Sequence, residues 1–349
     1  MADPIRHATI FDVARLAGVS HQTVSRVLND LPNVRPATKA RVDDAIRQLR
    51  YVPSPAARTL VTKRSRTIGL IATGGTEFGP SSSVLHFNAA ARDARWAVFT
   101  ANMVDGDPGS ARTAVEAFLR QNVEGIAVIS AREAVTDVVA GMEVAVPLVV
   151  LHATERLGLI NVGVDQYMGG RAATRHLIDL GHRRIAHLAG PVDAVDARER
   201  ERGWRDELAS AGLVAQVIGI GDWTPTSGYE LGRVMDEEIT AVFAANDQMA
   251  LGLIHALSER GRSVPFDFSV VGFDDIPEAE HMSPPLTTVR QDFEEVGRTM
   301  LATLLDRING EQTGIVPPSV PELVVRASTA PMAPMPRTAP TSPRTLDRA

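Results

Sequence analysis

The sequence predicts an all-α helix-turn-helix head followed by an α/β body of two doubly wound parallel-sheet lobes. Three observations carry this reading. Two short amphipathic stretches near the N-terminus flank a tight turn containing Gly18, the layout of two helices joined at an angle. From Thr67 onward, β-branched apolar runs alternate with amphipathic stretches, as in parallel sheets covered by helices. Charge is also uneven: residues 1–66 hold twelve Lys/Arg and five Asp/Glu, net +7, so the remainder carries −13 of the total −6. A basic head on an acidic body points to a polyanionic partner for the head.

The length of 349 residues fits two domains or slightly more, with ample chain for large cores. Hydrophobic residues at 44% and charged residues at 22% are ordinary for a water-soluble chain. The longest apolar run, 144–151, has eight residues and includes Pro147, well short of the roughly 18 a membrane span needs. Met1-Ala2-Asp3-Pro4 lacks the form of a secretory signal. With no cysteine there is no disulfide, thiolate metal site or Cys nucleophile. A cytoplasmic chain with no cofactor and no metal is expected.

In the head, Thr9-Ile10-Phe11-Asp12 has capping-box form with Asp at the fourth position. Val13, Ala14, Leu16 and Ala17 supply an apolar helical face, and Gly18 suits a left-handed C-cap. Ser20 can N-cap a second helix from His21 to Asn29. Its Val24, Val27 and Leu28 fall at helical spacing and face a core, which leaves His21, Gln22, Ser25, Arg26 and Asn29 on the opposite stripe. None is acidic and all can hydrogen-bond. Glutamine pairs bidentately with adenine and arginine with guanine in the major groove, while Thr9, Thr23 and nearby amides can hold phosphates. An ordinary amphipathic hairpin is the competing reading. A third helix spans 36–50, opened by Pro36 in its first turn. The segment 54–66 is helix-competent but too short to persist alone, and ends in basic Lys63, Arg64 and Arg66.

The run Asp12-Val13-Ala14-Arg15-Leu16-Ala17-Gly18-Val19-Ser20, followed by Gln22-Thr23-Val24-Ser25-Arg26-Val27-Leu28-Asn29, resembles the DNA-binding motif of the lac repressor (lactose/galactose repressor) family of bacterial transcription regulators. The resemblance extends over about residues 9–328. It implies that 54–66 is a hinge helix entering the minor groove, with Ala57 and Leu60 at the DNA and Leu60 wedged between base pairs. An apolar wedge of this kind kinks the duplex and widens the contact surface. It further implies a periplasmic-binding-protein-like body that binds a small, galactoside-like sugar and pairs into a homodimer on double-stranded operator DNA.

In the body, strands are expected at 68–72, 97–100, 125–130, 147–151, 160–164, 184–189, 216–220, 240–244, 269–273 and 286–289. Helices are expected at 110–121, 166–180, 197–211, 225–238, 247–260 and 293–309. Ligands in such folds gather beyond the carboxyl ends of the strands. Polar residues stand there: Asp193, Asp196 and Arg198; Trp223; Asn246-Asp247; Asp274-Asp275; Gln291-Asp292. Carboxylate, carboxamide and guanidinium groups beside a Trp face suit a neutral polyol. Any of them can alternatively be a helix N-cap, Asp247 and Asp275 above all.

The resemblance implies effector contacts at Arg198, Trp223, Asn246, Asp274, Gln291 and Phe293. It also brings the stretch Thr73-Gly74-Gly75-Thr76-Glu77-Phe78-Gly79-Pro80 to the effector, with Phe78 and Pro80 as contacts. Glu77 and Phe78 depart from the family pattern, as do Val150 and His152 in place of an aromatic and an acidic residue. Five prolines in 329–349 predict a disordered tail with no leucine heptads. The division expected is therefore head 1–53, hinge 54–66, body 67–328 and tail 329–349.

An enzyme is the main competing class. Asp274-Asp275 could be a carboxylate dyad, but neighbours on one strand end diverge and rarely share a proton. No nucleophile motif, phosphate loop or metal-spaced histidine cluster occurs. A phosphorylated sugar or a partner protein as effector remains a further alternative. A phosphate would need more positive charge than Arg198 alone supplies.

Overall fold

The computed structural model describes residues 8–28, 32, 34–52, 64–73, 77–103, 107–130, 132–154, 159–312 and 314–332. The chain divides into two compact units, Met1–Arg66 and Thr67–Ala349.

The first unit holds α1 (Ile10–Ala17), α2 (His21–Leu28) and α3 (Pro36–Leu49). Val13, Ala14 and Ala17 of α1, Val24 and Val27 of α2, and Val42 and Ala45 of α3 form one small core. Leu16, expected on the buried face, is 50% exposed. At 100° per residue it lies well off the stripe defined by positions 13, 14 and 17. Gly18 takes the left-handed conformation (φ 63°) and its N–H closes α1 on Ala14 and Arg15.

The second unit contains two sheets. The first lobe is built from β1 (Thr67–Thr73), α4 (Phe78–Asp93), β2 (Ala97–Met103), α5 (Pro108–Arg120), β3 (Gly125–Ile129), α6 (Glu133–Ala140), β4 (Leu148–Leu151) and β5 (Ile160–Val162). Its strands are all parallel, in the order β2-β1-β3-β4-β5. The second lobe holds α7 (Gln166–Asp179), β6 (Ile185–Ala189), α8 (Val195–Ser210), β7 (Gln216–Ile220), α9 (Pro225–Arg233), β8 (Ala241–Ala244), α10 (Asp247–Glu259), β9 (Ser269–Asp274) and β10 (Thr287–Arg290). The chain then returns as α11 (Phe293–Ile308) and ends in β11 (Glu322–Val324). The strand order is β11-β10-β9-β8-β6-β7, with only β11 antiparallel to its neighbour.

Strands β1, β3, β6, β8 and β9 are buried along their whole length, which is why they read as unbroken apolar runs. Helix α11 belongs to the first lobe although it follows the second in sequence: Met300, Leu301 and Leu304 share a core with Ile68, Leu70, Phe87 and Val149. Gly297 permits this docking, because a Cβ there would stand 2.6 Å from the backbone of His86 and Phe87. The chain therefore crosses between lobes three times. Two crossings are laced together by Asp165 N–H to Ser319 O and Ser319 N–H to Gly163 O, both 2.9 Å.

Three elements went unread in the sequence: α4, α6 and β11. Gly79, Pro80 and three serines disguise α4, yet Ser83, Phe87 and Ala91 recur every fourth residue as its buried face. Residues 329–332, expected in the tail, instead pack on the second lobe. Ala330 N–H donates to Ser269 Oγ at 3.1 Å and Met332 N–H to Leu180 O at 2.8 Å. These bonds extend the order begun by buried Ser328.

Candidate functional site

On the head, the cap and the exposed stripe of α2 are built locally. Thr9 and Asp12 exchange bonds as a capping box, Thr9 N–H reaching Asp12 Oδ2 at 2.9 Å. Ser20 Oγ accepts from Thr23 N–H at 3.2 Å and starts α2. With Val24 and Val27 fixed in the core, His21, Gln22 and Arg26 are exposed and Thr23 and Ser25 half-buried. The His21 ring lies 5.3 Å from that of Phe11, itself 60% exposed. One side of the unit thus presents donors and acceptors with an aromatic beside them, the surface type that reads base edges. Asn29, Ala57 and Leu60 lie outside the described residues.

In the body, a cleft with about 820 Å³ of free space, counting its mouth open to solvent, lies where the strand ends of the two lobes face each other. The second lobe's wall is a closed polar network. Arg200, 4% exposed, donates from Nε to Gln166 Oε1 at 2.8 Å and from Nη1 to Ala245 O at 2.6 Å. Its Nη2 stands 3.4 Å from Asp274 Oδ1. Gln166 donates to Gln291 Oε1 at 2.8 Å, and Gln291 donates to Asp274 Oδ1 at 2.7 Å. The guanidinium sits 3.8 Å above the Phe273 ring and 5.5 Å from that of Trp223. Both bonds to Asp274 fall on Oδ1, and Oδ2 has no partner among the described residues.

Trp223 and Asp274 both carry positive φ, 72° and 112°, a costly conformation for non-glycine residues that clusters at ligand sites. Asn246 holds the Trp turn by donating to Trp223 O at 3.1 Å while its Oδ1 caps α10 at Met249 N–H, 2.9 Å. The Trp ring lies on Gly190, where a Cβ would come within 2.5 Å of it.

The first lobe's wall is mostly apolar: Phe78, Pro80, Ile129 and Leu151, with Glu77, Ser83, Ser130 and His152 as polar members. Phe78 meets Phe293 edge-on at 5.6 Å and also packs on the second lobe's core cluster, so it reaches across the cleft.

Burial decides the electrostatics. It pushes Asp274 up to about 6, against the opposing pull of Arg200 and the Gln291 bond. Glu77 and Asp196 are raised by the same cause, with Arg132 opposing at Glu77 and Arg200 opposing at Asp196. Asp247 is raised well above the usual carboxylate range by burial and by the charge of Asp274.

Of the residues expected to meet an effector, Phe78, Pro80, Trp223, Asn246, Asp274, Gln291 and Phe293 line this cleft. Arg198 does not. Its half-exposed guanidinium donates to Glu133 Oε2 at 2.6 Å and Val192 O at 3.1 Å. Arg200 takes the place assigned to it, because α8 turns 196, 200 and 204 to one side and 198 away. The signal was present: Arg200 occupies a core position of the period marked by Ala197, Trp204 and Leu208. Gln166 had no comparable signal. Neither Asp247 nor Asp275 is an N-cap. Asp247 accepts from Ile276 N–H at 2.9 Å and Thr288 Oγ1 at 2.5 Å, and Asp275 pairs with Arg290 and Arg326, both at 2.7 Å. Asp274 and Asp275 thus face different partners and form no dyad.

Comparison with known proteins bears on both units. Residues 9–54 match the family described as bacterial regulatory proteins, lacI family, and 174–329 match the periplasmic binding protein-like domain. The HTH-type transcriptional regulator CelR of Thermobifida fusca is 39% identical over 326 residues, covering 88% of this chain and 94% of CelR. The chain belongs to the LacI family of bacterial regulatory proteins. The lactose operon repressor of Escherichia coli is 34% identical over 98% of this chain and 95% of its own. The HTH-type transcriptional repressor PurR of Haemophilus influenzae is 34% identical over 92% of this chain and 98% of its own. The lac repressor dimer bound to operator and the anti-inducer ONPF superposes with a TM-score of 0.84 at 33% identity, covering 93% of this chain and all of that one. A CelR–cellobiose complex superposes at 0.67 with 35% identity over 92% and 99%. These relatives are transcriptional regulators, not enzymes. No described helix is long and apolar enough to cross a membrane.

Proposed function

We propose that this chain is a homodimeric transcriptional repressor that leaves its operator when a neutral sugar occupies the cleft. Each head reads one half of a pseudo-palindromic site, as two-fold symmetry requires, with Gln22 and Arg26 at base edges and Thr9 and Thr23 at phosphates. Ala57 and Leu60 act at the minor groove.

One observation carries the sugar reading: the buried Arg200–Gln166–Gln291–Asp274 network beside a Trp ring, with Asp274 Oδ2 left for a ligand. Pre-bonded polar groups around an aromatic platform fit vicinal hydroxyls and a pyranose face. Three cleft carboxylates, Glu77, Asp196 and Asp274, outnumber the one lining guanidinium, which disfavours a phosphorylated sugar. The relatives named for lactose and crystallised with cellobiose support a sugar effector. Galactosides and β-glucosides are therefore the two classes to test. A DNA-reading protein of this kind works in the bacterial cytoplasm.

The test is to select duplexes from a random pool with the full chain, then titrate lactose, cellobiose and glucose 6-phosphate into the complex. Enrichment of a two-fold site and release by a neutral sugar are expected. Release by the phosphate ester alone, or no sequence enrichment, contradicts the reading.

A further inference from the structure

His152 is 7% exposed and lines the cleft from the first lobe. Its Nδ1 is engaged by the following loop: Thr154 N–H and Oγ1 lie 3.2 Å away and Thr154 O 2.9 Å away. Nε2, on the other side of the ring, is buried and has no hydrogen-bond partner. A buried polar atom left unpaired costs stability unless something completes it. Across the cleft, Asp196 of α8 also lines the cavity. It lies close enough to the His152 ring to interact with it electrostatically and accepts no hydrogen bond among the described residues. The charged groups facing these two are Arg200, Glu199 and Asp274 on the second lobe, and Glu77, which itself sees Arg132 of the first lobe and Asp193 of the second.

We propose that His152 and Asp196 are a specificity pair that binds ligand hydroxyls from opposite lobes, selecting a neutral polyol over its deoxy and anionic analogues. The proposal rests on the sugar reading of the cleft and adds to it which residues choose the sugar. A hydroxyl is the group that fits. It can donate to the Asp196 carboxylate, and it can serve Nε2 as either donor or acceptor, whichever tautomer Thr154 selects. An anionic substituent placed between them would meet the carboxylates of Asp196 and Glu77, which line the same cleft. Because the pair spans the lobes, a ligand that engages both favours the lobe arrangement in which they face each other. That gives the ligand the differential affinity a switch needs.

The test uses the full chain with lactose, cellobiose and their monodeoxy derivatives, followed by calorimetry. His152→Asn keeps a polar atom for the Thr154 loop and removes Nε2, and Asp196→Asn keeps the shape of its side chain. Each is expected to weaken the parent sugar at least tenfold. The double variant is expected to lose less than the product of the two. In the wild type one monodeoxy sugar should bind about tenfold more weakly than its parent, and in His152→Asn that difference should vanish. Operator binding without sugar should be unchanged in both variants. Two results overturn the pair: parent affinity equal to wild type in both variants, or a uniform loss across all deoxy sugars. If Arg200→Lys abolishes binding while these variants do not change it, the sugar cleft stands and the specificity pair falls. If the wild type binds no neutral sugar, both fall.

Discussion

The exposed face of α2 and the second-lobe wall of the cleft are both polar, but they are built in opposite ways. On α2, His21, Gln22 and Arg26 stand in solvent while Val24, Val27 and half-buried Leu28 anchor the helix. In the cleft, Arg200, Gln166, Asp274 and Gln291 are all buried and bonded to one another. The exposed side chains of the first surface hold no buried network together, so folding depends little on them. The second is pre-organised, so its residues serve stability and binding together.

The largest expected effect breaks the pre-organised side. Arg200→Ala leaves Asp274 buried without its cation and Gln166 without its donor, and should cost about 3–5 kcal/mol of body stability, measured by urea unfolding. A loss below about 1 kcal/mol would mean the network is not a unit.

Next is the pH dependence of the same network. Asp274 is raised from 3.8 to about 6 in the folded protein. The folded state therefore holds more protons than the unfolded one between these values, and the stabilising contribution present below 3.8 is lost as pH rises through about 6. Two units correspond to about 3 kcal/mol. The unfolding free energy of Asp274→Asn relative to wild type should accordingly increase across this window. A flat difference would contradict the burial argument.

On the head, Gln22→Ala and Arg26→Ala should leave thermal stability unchanged and reduce discrimination between selected and random duplex by ~1–3 kcal/mol for each bidentate contact. Equal weakening on all sequences would move those residues from base edges to phosphates.

The smallest effect is expected at Arg198. Its pairing with Glu133 is half-exposed, and such pairs contribute roughly 0–1 kcal/mol. Arg198→Ala should retain sugar binding, and loss of sugar response in this variant would restore it to the effector site.

The same contrast explains what could be read from sequence. The α2 face was legible because a short helix with two buried valines has only one other side. The cleft was legible where strand ends carry polar residues, as at Trp223, Asn246, Asp274 and Gln291. It failed at Arg198 and Arg200, where the residue that faces inward follows from the helical period of Ala197, Trp204 and Leu208 and not from charge alone. It also failed at Gln166, whose place is set by a crossing between lobes. Helix α4 was hidden because Gly79, Pro80 and the serines suggest a loop, and packing of Phe87 and Ala91 overrides that local preference.

The central claim is that the two surfaces are thermodynamically linked. It is tested most directly by measuring affinity of the full chain for a selected duplex, by fluorescence anisotropy, over a titration of the sugar that binds, alongside sugar affinity measured with and without duplex. The account requires that sugar weaken duplex binding by the same factor that duplex weakens sugar binding. Sugar affinity identical in the presence and absence of duplex would contradict it.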